Sequence, residues 1–429
     1  MIENRTEIDR AVLVGAPPKD LGERAREEHL EELARLTNTA GGEVAAVLRQ
    51  RIDRPHPRFY IGEGKARELK ELLEDSKANL VIFDEELSPA QGKNLEDLLG
   101  VRVLDRPELI LDIFATRARS RESKLQVELA QLEYLLPRLK RMWSHLSRIR
   151  GGIGLRGPGE TQLETDRRLI GTRIADLKMK LKDVTKARAV QRKAREGEFR
   201  AALVGYTNAG KSSLLRALSG ADLFVEDRLF ATLDSATRTV DLGSGHQALL
   251  TDTVGFIRKL PHHLIASFRS TLEEAREADL LLHVVDASDP DWEDHRDVVH
   301  EVLAELELSE GPQLMVFNKI DRLTHGEEEG IKNRVRGVEK TPAVFVSAHR
   351  DETLVKLLDA MKARLRGGLN RLLISIPAGD GEAMAALYRE GEVVSQESRG
   401  AQVEVDARIP DALKGQLQRR PGIQILKES

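Results

Sequence analysis

The strongest restriction on the fold of this 429-residue chain is an octapeptide. Gly205-Tyr206-Thr207-Asn208-Ala209-Gly210-Lys211-Ser212 directly follows the apolar run Ala201–Val204 and opens into a helix-compatible stretch. A G-x-x-x-x-G-K-S string needs a strand before it and a helix after it. Only there do successive backbone N–H groups converge on a phosphate while the lysine neutralises its charge. Ser212 adds a hydroxyl of the kind that holds Mg2+ in such loops. The runs Ala248–Leu250, Leu280–Val285, Leu314–Phe317 and Ala343–Val346 continue a strand–helix alternation. Strands this apolar are buried on both faces, so residues 198–369 are expected to form an α/β domain on a parallel sheet.

Three shorter strings fall in order at the ends of those strands. Asp252-Thr253-Val254-Gly255 ends the run Ala248–Thr251. Such an aspartate acts on Mg2+ through the ion's water shell, and the glycine N–H can sense a γ-phosphate. Asn318-Lys319-Ile320-Asp321 ends Leu314–Phe317. An ionised Asp321 accepts two N–H bonds from the guanine edge, where adenine presents a mismatched pattern. Ser347-Ala348, with His349 next, ends the last run and offers a backbone N–H to the guanine carbonyl. Each string is weak alone. Together they are strong, because ligands of open α/β sheets bind along the carboxyl edge of the strands. GTP is therefore the expected substrate and Mg2+ the expected ion.

A threonine that closes over the γ-phosphate and the ion belongs between the loop helix and Asp252. Phe230-Ala231-Thr232-Leu233-Asp234 offers Thr232, with Thr237 and Thr239 as rivals. Thr232 is chosen because its segment is least like regular structure. The expected metal set is then Ser212 and Thr232, with Asp252 acting through bound water. Lys211, Thr232 and Gly255 are the expected catalytic residues.

Around this domain the chain is organised in three further parts. Residues 1–117 alternate Ala11–Val14, Val44–Leu48, Phe59–Ile61, Leu80–Phe83 and Val101–Leu104 with helical stretches such as Glu63–Ser76 and Ser88–Leu99. That predicts a second α/β domain, with Ser88-Pro89 as a helix start: a hydroxyl cap, then proline where its missing N–H is harmless. In residues 118–197 two apolar seams advance by alternating steps of four and three: Leu125, Leu129, Leu132, Leu136, Leu139, Trp143, Leu146, and then Ile170, Ile174, Leu177, Leu181, Val184. Pro137 should interrupt the first helix. The glycine-rich string Gly151–Gly159 between the seams predicts an antiparallel helical hairpin with an exposed tip. Residues 370–429 read as a small α+β domain, with strands Leu372–Ile376 and Gln402–Val405 and helices near Glu382–Arg389 and Asp411–Gln418.

Composition excludes several function classes. The chain has no cysteine, so disulfides, thiolate catalysis and Cys-ligated zinc are ruled out. The longest nearly apolar stretch, Ala278–Ala287, is interrupted by Asp279, His283 and Asp286 and is far too short for a membrane span. The N-terminus has no apolar signal core, so a cytoplasmic protein is expected. Net charge is −4, yet residues 117–195 hold 21 Lys and Arg against 8 Asp and Glu. A basic block inside an acidic chain points either to nucleic acid or to a solvated helical face.

The combined strings resemble a translation-factor-class GTPase. Gly151–Arg168 (GGIGLRGPGETQLETDRR), together with YTNAGKS, LFATLD and DTVGFI, closely resembles the HflX GTPases. The likeness extends through YIGEGK at Tyr60–Lys65 and Asp112–Leu125, covering about residues 1–370, with the tail matching only an optional C-terminal domain. The resemblance implies binding to the large ribosomal subunit and splitting of stalled or hibernating ribosomes, particularly after heat stress. It implies a hairpin loop reaching rRNA near the peptidyl-transferase centre, with Arg150, Arg156, Arg167 and Arg168 as RNA contacts. A monomer is expected. The switch string of the family also supports Thr232. A ribosome-assembly GTPase that uses GTP as a timer, and a signalling GTPase with a protein effector, are the alternative readings.

Three other features have plainer explanations. Gly62-Glu63-Gly64-Lys65 is too short for a phosphate loop and reads as a turn into a helix. His262-His263 reads as a surface pair on a mobile loop. Phe256 stands directly after Gly255, where Ras-type enzymes carry the glutamine that orients the attacking water. Its ring can neither donate nor accept that hydrogen bond, so slow unassisted hydrolysis is expected.

Overall fold

The computed structural model describes residues 8–19, 21–139, 158–193, 198–221, 226, 228–243, 245–260, 274–367 and 369–428. The chain divides into two compact units. One comprises Met1–Arg188 with Val225–Ser235 and Val254–Glu273; the other comprises Ala189–Phe224, Ala236–Thr253 and Glu274–Ser429.

In the first unit β1 (Arg10–Gly15), β2 (Glu43–Arg49), β3 (Leu80–Phe83) and β4 (Arg102–Asp105) form an all-parallel sheet in the order β2-β1-β3-β4. Val12, Val14, Val81, Phe83 and Val103 bury against Leu69, Leu73 and Leu95 of the crossover helices. The helix Pro89–Leu99 starts as expected. Ser88 Oγ accepts from Gln91 N, and Gln91 Oε1 accepts from Ser88 N at 2.9 Å. Phe59–Ile61 is not a strand. His56 and Tyr60 exchange two backbone hydrogen bonds, and Tyr60 takes φ 66°, so the chain makes a tight turn that still buries Phe59 and Ile61. Gly62 ends this turn and caps the helix Glu63–Ser76; its N–H is taken by Gln50 Oε1 at 3.2 Å. That is the plain turn expected of the GEGK string.

The helix Arg121–Leu135 ends in a 3-10 turn, Leu136–Arg138, where Pro137 was expected to interrupt it. Its face opposite the seam is also buried, through Gln126, Val127, Ala130 and Tyr134. Tyr134 Oη donates to Asp105 Oδ1 at 2.6 Å, and Arg138 lies over the Tyr134 ring and donates to Leu87 O. The second seam lies on the long helix Pro158–Lys193, where Leu177 is buried and its neighbours along the stripe are half-buried. Arg173–Glu128 and Lys178–Glu133, at 2.7 and 2.8 Å, connect the two helices. Trp143, Leu146, Arg150, Arg156 and the tip at 151–157 lie outside the described residues.

In the second unit, β5 (Phe199–Gly205), β6 (Ala236–Gly243), β7 (His246–Asp252), β8 (Leu280–Asp286), β9 (Gln313–Asn318) and β10 (Ala343–Phe345) form a six-stranded sheet, order β10-β9-β8-β5-β7-β6. All pairings are parallel except β6 with β7. Central β5 and β8 are buried nearly end to end, as their apolar runs require. The last sheet is antiparallel, β12-β13-β11-β14, from β11 (Asn370–Pro377), β12 (Glu392–Arg399), β13 (Gln402–Ile409) and β14 (Gln424–Glu428). With helices Gly381–Glu390 and Asp411–Gln418 it makes a β-α-β-β-α-β arrangement of the ferredoxin-like kind. No helix among the described residues is long and apolar enough to cross a membrane.

Candidate functional site

β5 delivers Gly205–Ser212 to the carboxyl edge of the six-stranded sheet. Two glycines there are dictated by space. A Cβ on Gly205 would stand 2.3 Å from Val284 O, and one on Gly210 would stand 2.2 Å from Asn318 Nδ2. Gly210 also takes φ 95° and Asn208 φ 62°, left-handed values that glycine and asparagine tolerate best. Lys211 opens the next helix and folds over the loop, its Nζ donating to Gly205 O and Tyr206 O, both at 3.0 Å. Burial, reinforced by Lys319 and opposed by Asp252, pulls this ammonium down to about 8.

Neighbouring strand ends tie the loop in place. Ser212 Oγ donates to Asp252 Oδ2 at 2.5 Å at the end of β7, and Thr253 Oγ1 donates to Leu203 O at 2.7 Å. Asn318 Nδ2 donates to Ala209 O at 2.9 Å, while its Oδ1 accepts from Ala348 N at 3.3 Å. One buried amide thus clamps the phosphate loop to the last loop of the edge. Lys319, at φ 65°, donates to Asn208 O and pairs with Asp286 at 2.7 Å. Ile320 is buried and its N–H reaches Val346 O, so Asp321 is turned outward. Ser347 Oγ donates to Asp321 Oδ1 at 2.6 Å and accepts from His349 N at 3.1 Å. Burial would raise the Asp321 carboxyl, but the Ser347 hydrogen bond, its own backbone N–H and the charges of His349 and Arg350 outweigh it and hold it below the usual carboxylate range.

The segment Phe230–Asp234 and the residues that directly follow Thr253 belong to the first unit. Thr232 is half-buried in irregular backbone, whereas Thr237 and Thr239 lie in β6 and Thr237 Oγ1 meets Thr251 Oγ1 at 2.9 Å. Phe230 packs edge-on against Phe114, ring centroids 4.7 Å apart, and Leu233 is buried. Asp234 accepts from Arg119 N and Ser120 N at 3.0 and 3.1 Å, just before the helix Arg121–Leu135. Ala231 is half-buried beside Thr232. After Val254-Gly255, Phe256 is fully buried, so its ring is a packing element. Arg258 Nη2 then donates to Glu28 Oε1 at 2.6 Å, and Lys259 pairs with Asp84 and with Glu85. Arg106 reaches Asp84 at 2.7 Å and also pairs with Glu32. His262 and His263 lie outside the described residues.

Sequence reasoning missed the Asp286–Lys319 pair and the stacking of Tyr206 on His295, centroids 3.9 Å apart. Asp286 carried a signal, an acid ending a buried strand at the ligand edge; His295, on a separate helix, carried none. It also missed the acidic partners of Arg258 and Lys259.

The donors available suit a hard cation. The Ser212 hydroxyl and the Asp252 carboxylate meet as oxygen ligands beside the Gly205–Gly210 loop, which is the chemistry Mg2+ takes. A G-x-x-x-x-G-K-S loop at the carboxyl edge of a mostly parallel sheet, with the D-x-x-G and N-K-x-D strings on the neighbouring strand ends, makes the second unit a P-loop GTPase.

Comparison with known proteins narrows the class. Residues 27–115 match the model of the GTP-binding GTPase N-terminal region, 117–195 that of the GTP-binding GTPase middle region, and 200–319 that of the 50S ribosome-binding GTPase. GTPase HflX of Magnetococcus marinus is 43% identical over 99% of both chains. GTPase HflX of Flavobacterium psychrophilum is 50% identical over 76% of this chain and 79% of its own. A GTP-binding protein of Sulfolobus solfataricus, solved in complex with GDP, is 25% identical, with coverage of 83% of this chain and 98% of its own and a TM-score of 0.44. The chain belongs to the HflX family of GTPases.

Proposed function

We propose that this GTPase docks on the large ribosomal subunit and separates stalled or hibernating ribosomes, with hydrolysis stimulated by docking. One observation carries the reading. The helix Pro158–Lys193 turns its apolar stripe inward and leaves Arg167, Arg168 and Lys182 exposed, with no acidic partner among the described residues. Exposed, unneutralised cations along one helix suit a phosphate backbone. The match of residues 200–319 to the 50S ribosome-binding GTPase model and the HflX relatives supports the same partner. In the sequence Arg150 and Arg156 continue the basic block at the glycine-rich string Gly151–Gly159, which we assign to rRNA near the peptidyl-transferase centre. We read 1–117, 118–197, 198–369 and 370–429 as four functional parts of a cytoplasmic monomer.

In the reaction, the Gly205–Gly210 backbone binds the phosphates, and Lys211 exchanges its two carbonyl partners for β- and γ-phosphate oxygens. Ser212 and Thr232 would hold Mg2+, with Asp252 acting through its water; the bound ion neutralises charge developing on the phosphates. Gly255 senses the γ-phosphate through its N–H. Asp321, oriented by Ser347, reads guanine, and Ala348 N serves its carbonyl. The buried Phe256 leaves the attacking water without a side-chain partner at that position, so positioning must come from docking.

Sedimentation of the full chain with whole ribosomes and a non-hydrolysable GTP analogue tests the reading. Conversion of whole ribosomes to subunits is expected. Binding confined to immature large subunits would replace splitting with an assembly role. Absence of ribosome binding would leave a signalling GTPase.

A further inference from the structure

An unassigned cavity of about 300 Å3 opens at the carboxyl edge of the first unit's parallel sheet, between the ends of β1 and β2. Gly15, Pro17 and Leu30 make its apolar wall, and Arg26, Arg49 and Arg51 its polar one. Gly15 allows this closeness: a Cβ there would stand 2.9 Å from Leu30 Cδ2. The first turn of the helix Glu23–Thr39 lines the same space, and its cap, Gly22, supplies no side-chain hydrogen bond to the first N–H groups. The Nη1 of Arg26 is shielded from solvent and meets no acceptor among the described residues. Arg49 and Arg51 are exposed and likewise form no ion pair among the described residues.

A shielded guanidinium nitrogen without an acceptor is costly, and three guanidiniums beside a helix start are a standing demand for an oxyanion. The edge is also the one where parallel sheets bind ligands. The neighbouring notch, between β1 and β3, is already filled: Glu85 Oε2 accepts from Ala16 N at 3.0 Å, and Asp84 pairs with Arg106.

The geometry points to a binding site for a compact phosphate ester or pyrophosphate. Its anion sits on Arg26, Arg49 and Arg51, and any organic body lies against Leu30 and Pro17. Size and lining set this class. The volume is at the small end for ligand sites. Among the described residues no aromatic side chain lines the cavity to stack a base, and Gln50 Oε1 is engaged by Gly62 N. A nucleoside triphosphate is therefore a poor fit. Glu23 and Glu27, exposed on the lining, oppose further negative charge and select one or two phosphates over a long polyanion.

Calorimetric titration of the full chain, first saturated with GDP so that the loop Gly205–Ser212 is filled, tests this with pyrophosphate and with ribose 5-phosphate. One further equivalent should bind. Arg26→Ala should weaken it by about tenfold or more, the scale of one charge-assisted hydrogen bond. Glu27→Gln should tighten it, by removing a repelling charge. General damage to the domain would weaken binding in both variants, so the opposite signs separate a site from a misfold. GDP affinity should stay unchanged in both. No binding of either probe at millimolar concentration, indifference to Arg26→Ala, weakening in Glu27→Gln, or tighter binding of ATP than of both probes would each overturn the assignment.

Discussion

Asp321 owes its readiness to Ser347, whose hydroxyl holds the carboxylate ionised and fixed at 2.6 Å. Replacing a charged acceptor by an amide removes one acceptor and adds a donor. In Asp321→Asn, GTP affinity should fall by roughly 10–100-fold, the worth of one or two charge-assisted bonds, while binding of xanthosine nucleotides improves. Equal losses for both nucleotides in a competition assay would refute the pairing. Lys211 makes a pH prediction. Burial holds it at about 8, and contact with phosphates raises it again. A group whose pKa rises on binding favours binding fully below its free value and withdraws that support as pH climbs through it. GTP affinity should accordingly be flat below pH 8 and then decline, approaching about tenfold per pH unit, with proton uptake on binding. A flat affinity from pH 7 to about 9.5 would mean another group neutralises the phosphates.

The long helix Pro158–Lys193 shows how one element serves two surfaces. Leu177 and its stripe are turned in, and the alternate turns present arginine and lysine. Substituting Arg150, Arg156, Arg167 and Arg168 by alanine should weaken ribosome binding while GTP affinity is unchanged. The salt dependence should flatten by a log–log slope of roughly 0.9 for each duplex phosphate left without its cation, less on irregular RNA. Ribosome splitting at the normal rate by the quadruple variant would reduce the basic block to a solvated face. Arg173 and Lys178 are unsuitable probes, because their ion pairs to Glu128 and Glu133 serve the helix pairing.

At the level of the whole chain, the residue after the D-x-x-G string is a buried phenylalanine, and the threonine segment takes its contacts from the first unit. Turnover alone should therefore stay within a couple of orders of ~10⁻⁴–10⁻³ s⁻¹, the unassisted small-GTPase range, and rise by about an order of magnitude or more with large subunits. Single-turnover hydrolysis with and without subunits decides this; a rate near ~1 s⁻¹ in isolation, indifferent to subunits, would show a complete active site. The charge cluster of the first unit adds an acid limit. His29 is held down to about 3, by burial first and then by Lys259, Arg258 and Arg106, and so is neutral in the fold. A depressed pKa contributes stability that is present above the unfolded value, about 6.5, and is lost as pH falls from there toward 3. The melting temperature should drop between pH 7 and 5, and His29→Asn should lessen the drop. An unaltered drop in that variant would place the acid sensitivity elsewhere.

The phosphate loop, the D-x-x-G and N-K-x-D strings and the strands beneath them were legible because each is local. A buried parallel strand must be apolar throughout, and the loop at its end must carry the chemistry. Glu63–Ser76 and Leu80–Phe83 could be read to the residue for the same reason. β6, β12 and β14 could not. They are edge strands, and β12 is largely exposed and polar, so no face of it needed an apolar pattern. Irregularity, with the family's switch string, points to Thr232 over Thr237 and Thr239, and the backbone around it is irregular while theirs is strand. What holds that segment was beyond reach. Asp234 meets Arg119 from 115 positions away, and Arg258 meets Glu28 from 230. Neither pair leaves a trace in spacing: Asp234 accepts from the Arg119 backbone N–H, a group nearly every residue carries, and Glu28 and Arg258 are ordinary surface residues until folding buries them together. Only then does the loss of water make each one's partner obligatory.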